Sequence, residues 1–209
     1  LYSANKISIK DAIVSFGGFC TGEIVSKNGL IFTNHHCGYD AAASNSTSQN
    51  NILDNGFYAK SYAEEKPIPG LFVRFLVRME DVTPQVMTAV QGVSDQERAA
   101  KISEITKQIS ANSTNGPTQE GEVKDIFKAN QYLLFVYERF NDVRLVGIPP
   151  QSIGKFGGDK DNWMWPRHTG DFSMFRIYAG KDNKPADYSA DNIPYTPKKS
   201  LSISLIVAN

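Results

Sequence analysis

The sequence lacks the features that would tie it to a nucleic acid or a membrane. Its 209 residues include 22 Lys plus Arg and 22 Asp plus Glu, so the formal net charge is zero. A neutral chain has no net field to draw it towards phosphate backbones, which argues against nucleic acid as a partner. No apolar run approaches the ~18 residues that cross a bilayer, so we expect no membrane-spanning segment.

Cysteine is scarce, because the chain has only two such residues, Cys20 and Cys37. A pair this close in sequence could close a short loop as a disulfide, or could be two buried free thiols. Residues 1–6 have neither the basic nor the apolar region of a signal peptide, which we expect to be absent or already removed. With 41% hydrophobic residues, the composition is that of a folded domain rather than a disordered chain.

Short apolar segments separated by glycines predict antiparallel β structure near the N-terminus. Residues 12–16, 19–25 and 30–33 have strand character, and Asn28-Gly29 between the last two is a hairpin signal. Further strands are predicted over 71–77, 132–140, 143–148, 172–178 and 201–207. We expect 132–140 and 143–148 to pair with each other around residues 141–142.

Residues 82–112 predict a helical insertion. Thr83-Pro84 and Gly92 are typical of the two ends of a short helix, and Ser94 with Glu97 forms a capping box that begins a second. The second helix has one apolar face, formed by Ala99, Ile102, Ile105 and Ile109. The sequence therefore predicts a mostly β chain interrupted by helices.

Two adjacent histidines, His35 and His36, follow the predicted hairpin and precede Cys37. Neighbouring residues on a strand face opposite sides, so only one of the two can act as a general base, and the position before Cys37 favours His36. His35 is then a supporting residue. Neither His-x-His nor His-x-x-x-His spacing occurs, so we expect no metal site. Ordinary surface or core histidines are the alternative.

This segment resembles the catalytic-histidine hairpin of chymotrypsin-like serine peptidases, in which the histidine precedes a cysteine that is paired across the hairpin. The resemblance implies a Cys20–Cys37 disulfide, an oxidising compartment and a chymotrypsin-like antiparallel β-barrel. A general base of this kind needs a carboxylate on its other ring nitrogen. Asp171, at the start of the predicted strand 172–178, is the candidate.

Longer motifs carry a second resemblance. They read TNHHCGY at 33–39, YERFNDVRLV at 137–146, GGD at 157–159 and DNWMWPRHTGDF at 161–172. Through these motifs the chain resembles the bacterial dipeptidyl peptidases of serine-peptidase family 46. The likeness spans almost the whole chain, which corresponds to roughly the N-terminal third of such a peptidase.

The resemblance implies a secreted exopeptidase, periplasmic or at the cell surface, that removes dipeptides from free N-termini and forms a homodimer. It also implies a double β-barrel catalytic domain, a large inserted helical domain and no cofactor. His36 is then the general base, Asp171 orients it, and Asn162 and Trp163 hold the amine at the N-terminus of the peptide substrate. An amide oxygen and an indole face both suit an ammonium group, although Trp163 could instead be a core residue.

The sequence departs from this family in its serines. Ser26 and Ser152 are the nearest to a glycine-flanked nucleophile, and neither has glycine on both sides. We therefore expect residues 1–209 to be the N-terminal part of the catalytic domain, without the nucleophile, the C-terminal barrel or the helical cap, and inactive alone. The alternatives are a secreted endopeptidase of the chymotrypsin fold and a non-catalytic module that binds peptides.

Overall fold

The computed structural model describes residues 3, 6–158, 160, 164–166 and 168–203. The strands are β1 (Ile13–Phe16), β2 (Cys20–Ile24), β3 (Leu30–Thr33), β4 (Phe57–Tyr58), β5 (Lys66–Pro67), β6 (Val73–Asp81), β7 (Gln119–Ile126), β8 (Gln131–Phe140), β9 (Asp142–Ile148), β10 (Ser173–Ala179) and β11 (Ile193–Pro194). The α-helices are α1 (Tyr39–Ser44), α2 (Ile52–Asn55), α3 (Thr83–Ala89), α4 (Asp95–Asn112) and α5 (Gln151–Gly154). The expected architecture, mostly antiparallel β with few helices, is confirmed.

The chain divides into two units, of which the larger comprises Asp11–Arg74 and Phe140–Asn209. Its strands run antiparallel in the order β4-β9-β10-β3-β2-β1, with β5 added to β9 and β11 added to β10. The core of this unit includes apolar side chains of these strands, and the rings of the fully buried Phe16 and Phe175 meet with centroids 4.8 Å apart. This core supports β3 and β10, the two strands that carry the candidate site residues at their ends.

The predicted hairpin forms between β2 and β3. Glu23 pairs with Phe32 and Ile24 with Ile31, and the turn closes through the Val25 N–H, which donates to the Leu30 carbonyl at 2.9 Å. Gly29 has a φ of 66°, the left-handed conformation that glycine adopts without strain. The Asn-Gly signal therefore identified the turn correctly.

The smaller unit comprises Leu1–Lys10 and Phe75–Arg139 and includes α3 and α4. Its buried cluster is Val82, Val86, Tyr132, Leu134 and Val136, with Ile102, Ile105, Ile109 and Val123 packed against it. Three of the four residues of the predicted apolar face of α4 thus contact the core. In this unit β8 lies between β6 and β7. The sequence did not predict β7, because its residues are mostly polar and only partly buried.

The predicted pairing of 132–140 with 143–148 is wrong. Both segments are strands, but β8 pairs with β7, whereas β9 pairs with β4, β5 and β10. Only Asn141 separates β8 from β9, and a hairpin needs a loop of about two residues or more. The chain passes between the two units at this point instead.

Two other predictions can be checked only within the described residues. The strand predicted over 201–207 lies mostly outside them, and residues 201–203 are not in a strand. Within the described part of the chain, no helix has the length and the apolar character needed to span a membrane.

Candidate active site

A disulfide joins the start of the β2–β3 hairpin to the turn that follows it. Cys20 is the first residue of β2, and Cys37 lies in a short 3-10 helix, His36–Gly38, that comes after β3. The two cysteines, 17 residues apart in sequence, are bonded with their Cα atoms 6.2 Å apart. The turn that carries the histidines is therefore covalently attached to the sheet, as the resemblance implies.

The two histidines are not on a strand, so the premise of alternating strand faces was wrong. β3 ends at Thr33, His35 has helical backbone angles of −58° and −44°, and His36 begins the 3-10 helix. The two imidazoles still have different surroundings, because His35 is 3% exposed and His36 is exposed to solvent.

His35 is buried. Its side chain contacts Pro149, which precedes α5, and Gly154, the last residue of α5. Its Nε2 lies 3.2 Å from the carbonyl oxygen of Pro149, and its ring packs directly on the backbone of Gly154. Burial lowers the pKa of His35 below its ordinary value of 6.5. The neutral imidazole is therefore the stable form, with an Nε2–H that donates to the Pro149 carbonyl.

The exposed His36 lies against the disulfide. Its Nε2 is 3.4 Å from Sγ of Cys37 and 3.8 Å from Sγ of Cys20. These three residues are also the one group of three potential metal ligands among the described residues. Both sulfurs are bonded to each other and cannot act as thiolate ligands, so this group does not form a zinc-type site.

Asp171 precedes β10 by two residues and its carboxylate accepts two hydrogen bonds. Oδ1 accepts from the backbone N–H of His35 at 2.7 Å, and Oδ2 accepts from Nδ2 of Asn34 at 2.9 Å. Among the described residues, the His36 imidazole does not share a hydrogen bond with this carboxylate. The structure thus places Asp171 at the histidine turn, bonded to the two residues before His36.

His36 and Asp171 line one pocket of about 340 Å³, a volume at the lower end of the range for ligand sites. Tyr39, Asp40 and Lys155 are among the other residues of its wall. An imidazole, a fixed carboxylate and open space beside both are what proton transfer to and from a bound substrate requires.

The predicted amine-binding residues, Asn162 and Trp163, lie outside the described residues. Asn34, Asp40 and Lys155 were not predicted as site residues from the sequence. Asn34 lies within the TNHHCGY motif, but an asparagine after a strand has no spacing signal of its own, and its contact with Asp171 depends on the tertiary fold.

The Peptidase S46 family model matches residues 1–208. The chain belongs to the Peptidase S46 family.

Two curated relatives illustrate the likeness. An Asp/Glu-specific dipeptidyl-peptidase of Capnocytophaga gingivalis is 54% identical over 208 residues, covering 98% of this chain and 29% of that protein. Dipeptidyl-peptidase 7 of Porphyromonas gingivalis is 50% identical over 206 residues, covering 98% of this chain and 29% of that protein. The chain thus spans less than a third of the length of either relative.

Solved structures show the same fold. A crystal structure of Porphyromonas endodontalis DPP11 in complex with substrate is 43% identical, with a TM-score of 0.86 over 100% of this chain and 31% of that one. The same protein in complex with the dipeptide Arg-Glu gives a TM-score of 0.85 at 43% identity, covering 96% of this chain and 30% of that one.

Proposed function

We propose that the protein carrying this chain is a serine-type dipeptidyl peptidase, which releases dipeptides from the free N-terminus of oligopeptides. The observation that carries the proposal is that His36 and Asp171 line one pocket while two hydrogen bonds hold the Asp171 carboxylate. Membership of the Peptidase S46 family and the names of the relatives support the same reaction class.

In this proposal His36 is the general base of an acyl transfer. It takes the proton of a nucleophilic serine as the hydroxyl attacks the peptide carbonyl, and returns the proton to the leaving amine. Asp171 accepts a hydrogen bond from the other ring nitrogen, which selects the tautomer and stabilises the imidazolium. The proposal requires the exposed His36 side chain to turn from the disulfide towards Asp171, a change of rotamer that exposed side chains make on a fast timescale.

The nucleophile in this proposal comes from residues beyond the 209 of this chain. Ser173, the serine nearest to Asp171 in sequence, is fully buried and donates its hydroxyl to the Asn34 carbonyl at 2.8 Å, so it does not face substrate. We assign recognition of the substrate amine to Asn162 and Trp163, on the strength of the family resemblance alone.

The proposal extends to location and assembly. A disulfide persists in oxidising compartments, which supports a periplasmic, cell-surface or secreted protein. We also propose a homodimer, for which the support is the family resemblance.

Kinetics of the full-length protein test the proposed activity. Fluorogenic dipeptides with a free amine are compared with the same dipeptides acetylated at the N-terminus, and both acidic and apolar residues are sampled before the scissile bond. We expect release of the fluorophore from free substrates only, and mass spectrometry of a longer peptide should find successive dipeptides. Equal cleavage of the blocked substrates would indicate an endopeptidase, and binding without turnover a peptide-binding module.

A further inference from the structure

Two neighbouring residues, Asn34 and His35, each donate a hydrogen bond to the Asp171 carboxylate. His35 donates its backbone N–H to Oδ1 at 2.7 Å, and Asn34 donates its side-chain amide to Oδ2 at 2.9 Å. Each carboxylate oxygen has two lone pairs, so both oxygens keep an acceptor position for a further donor such as an imidazole N–H. The two bonds therefore fix the plane of the carboxylate without saturating it.

The Asn34 donor is itself fixed by β10, the strand that Asp171 precedes. Thr33 and Ser173 are partners in the β3–β10 register, and the Ser173 hydroxyl donates to the carbonyl oxygen of Asn34 at 2.8 Å. A Cβ added to Gly38 would lie 2.8 Å from Ser173 Oγ, so the end of the histidine turn packs tightly on the same serine. Asn34 thus has little freedom to move away from Asp171.

Among the described residues, the Asn34 side chain has one hydrogen-bond partner, Asp171. The residue is exposed, so its amide does not fill the core. A neutral amide that donates to a carboxylate orients the charge without adding one of its own.

We propose that Asn34 is a positioning residue, which orients the Asp171 carboxylate towards the imidazole of His36. The proposal rests on the proposed function, since it gives Asn34 a part in proton transfer through Asp171. Without the Asn34 donor, Oδ2 loses one of its fixed partners and the carboxylate can rotate about the Cβ–Cγ bond. The imidazolium formed during acyl transfer is then stabilised less well, whereas substrate binding does not change.

The test compares Asn34→Ala with Asn141→Ala in the full-length protein. Asn141 is a matched control, because its Nδ2 donates to Oδ1 of Asp187 at 3.1 Å, and neither residue lines the pocket. We expect Asn34→Ala to lower kcat by about 10- to 100-fold, as for other residues that support a reacting group, with KM within about twofold. Asn141→Ala should keep the wild-type kcat.

A double-mutant cycle separates positioning from a general effect on folding. In an Asp171→Ala background, Asn34→Ala should cause no further loss, because the group through which it acts is absent. Asn34→Asp keeps the size of the side chain but replaces the donor with a like charge, so it should lower kcat at least as far as Asn34→Ala.

The outcomes distinguish this proposal from the proposed function. Wild-type protein without dipeptide release would overturn the proposed function and this proposal with it. Active wild type together with unchanged kcat in Asn34→Ala would overturn only the role of Asn34. The role of Asn34 would also be overturned if Asn34→Ala lowered kcat by the same factor in the wild-type and Asp171→Ala backgrounds. A large rise in KM at constant kcat would overturn it as well. If Asn34→Ala fails to fold, Asn34→Asp decides by the same criteria.

Discussion

Asp171 accepts its 2.7 Å hydrogen bond from the backbone of His35, the buried member of the histidine pair. His35 therefore links the carboxylate to the interior, where its own ring contacts Pro149 and Gly154. The next residue, His36, is exposed and lines the same pocket as that fixed carboxylate. One histidine thus fixes the position of the carboxylate, and the other is accessible from the pocket.

Replacing Asp171 with asparagine should lower the rate of the full-length protein while leaving its fold intact. An amide at this position favours the wrong imidazole tautomer, and the corresponding change in the chymotrypsin-like triad lowers kcat by about 10⁴-fold. Steady-state kinetics with a free dipeptidyl substrate measure the loss, and circular dichroism checks the fold. A folded variant with a rate near the wild-type value would remove Asp171 from the mechanism.

Replacing both Cys20 and Cys37 with serine should loosen the histidine turn. The bond links residues 17 apart, and a loop of that length corresponds to about 3 kcal/mol of stabilisation. Hydrogen–deuterium exchange should report faster exchange of the amides of β2 and β3, and kcat should fall because His36 loses its support. Wild-type protein treated with a reductant serves as the control. Unchanged exchange in the double variant would mean that the sheet alone holds the turn.

Substituting Gly154 with alanine tests how closely α5 packs on His35. Alanine normally stabilises a helix relative to glycine by about 1 kcal/mol, but here the new Cβ would overlap the imidazole of His35. We expect a net loss of about 1–3 kcal/mol of stability instead, as for other overpacked sites. In Gly180→Ala, the control, the nearest atom to the added Cβ would be an oxygen of the exposed Asp182 carboxylate, at 3.0 Å. A more stable Gly154→Ala variant would contradict the tight contact.

The buried imidazole of His35 should make the protein less stable in mild acid. Burial holds the pKa of folded His35 below 6.5, so between that pKa and 6.5 the unfolded chain binds a proton that the folded chain does not. The free energy of unfolding then falls as the pH drops below 6.5, by up to about 1.4 kcal/mol per pH unit for this one group.

Denaturant unfolding at pH 7.5 and pH 5.5 measures this dependence. The loss on acidification should be smaller in His35→Asn than in wild type, because the titrating group is gone. His168→Asn, which removes an exposed histidine, serves as the control. Equal pH dependence in all three proteins would contradict the assignment of the acid-sensitive group to His35.

Local patterns were sufficient to predict much of the fold. The Asn28-Gly29 signal located the β2–β3 hairpin, and the isoleucine spacing located the buried face of α4. Both depend on residues close together in sequence. The pairing of β8 and β9 was predicted wrongly, because strand partners are chosen by tertiary contacts that the sequence pattern does not contain.

The candidate site was predictable to the extent that motifs encode it. The turn at residues 33–39 led to His36, and the resemblance led to Asp171, 135 positions away in the sequence. The different burial of His35 and His36 came from a helical turn rather than from a strand, and the contact of Asn34 with Asp171 spans 137 residues. Such a contact becomes visible only when the register of β3 and β10 is known.

The proposed role of His36 is that of the general base of a dipeptidyl peptidase. The most direct test is kcat/KM of full-length His36→Ala for a dipeptidyl substrate with a free amine, measured beside wild type. We expect a folded variant whose kcat/KM is lower by at least about 10³-fold. A folded His36→Ala protein that releases dipeptides at close to the wild-type rate would contradict it.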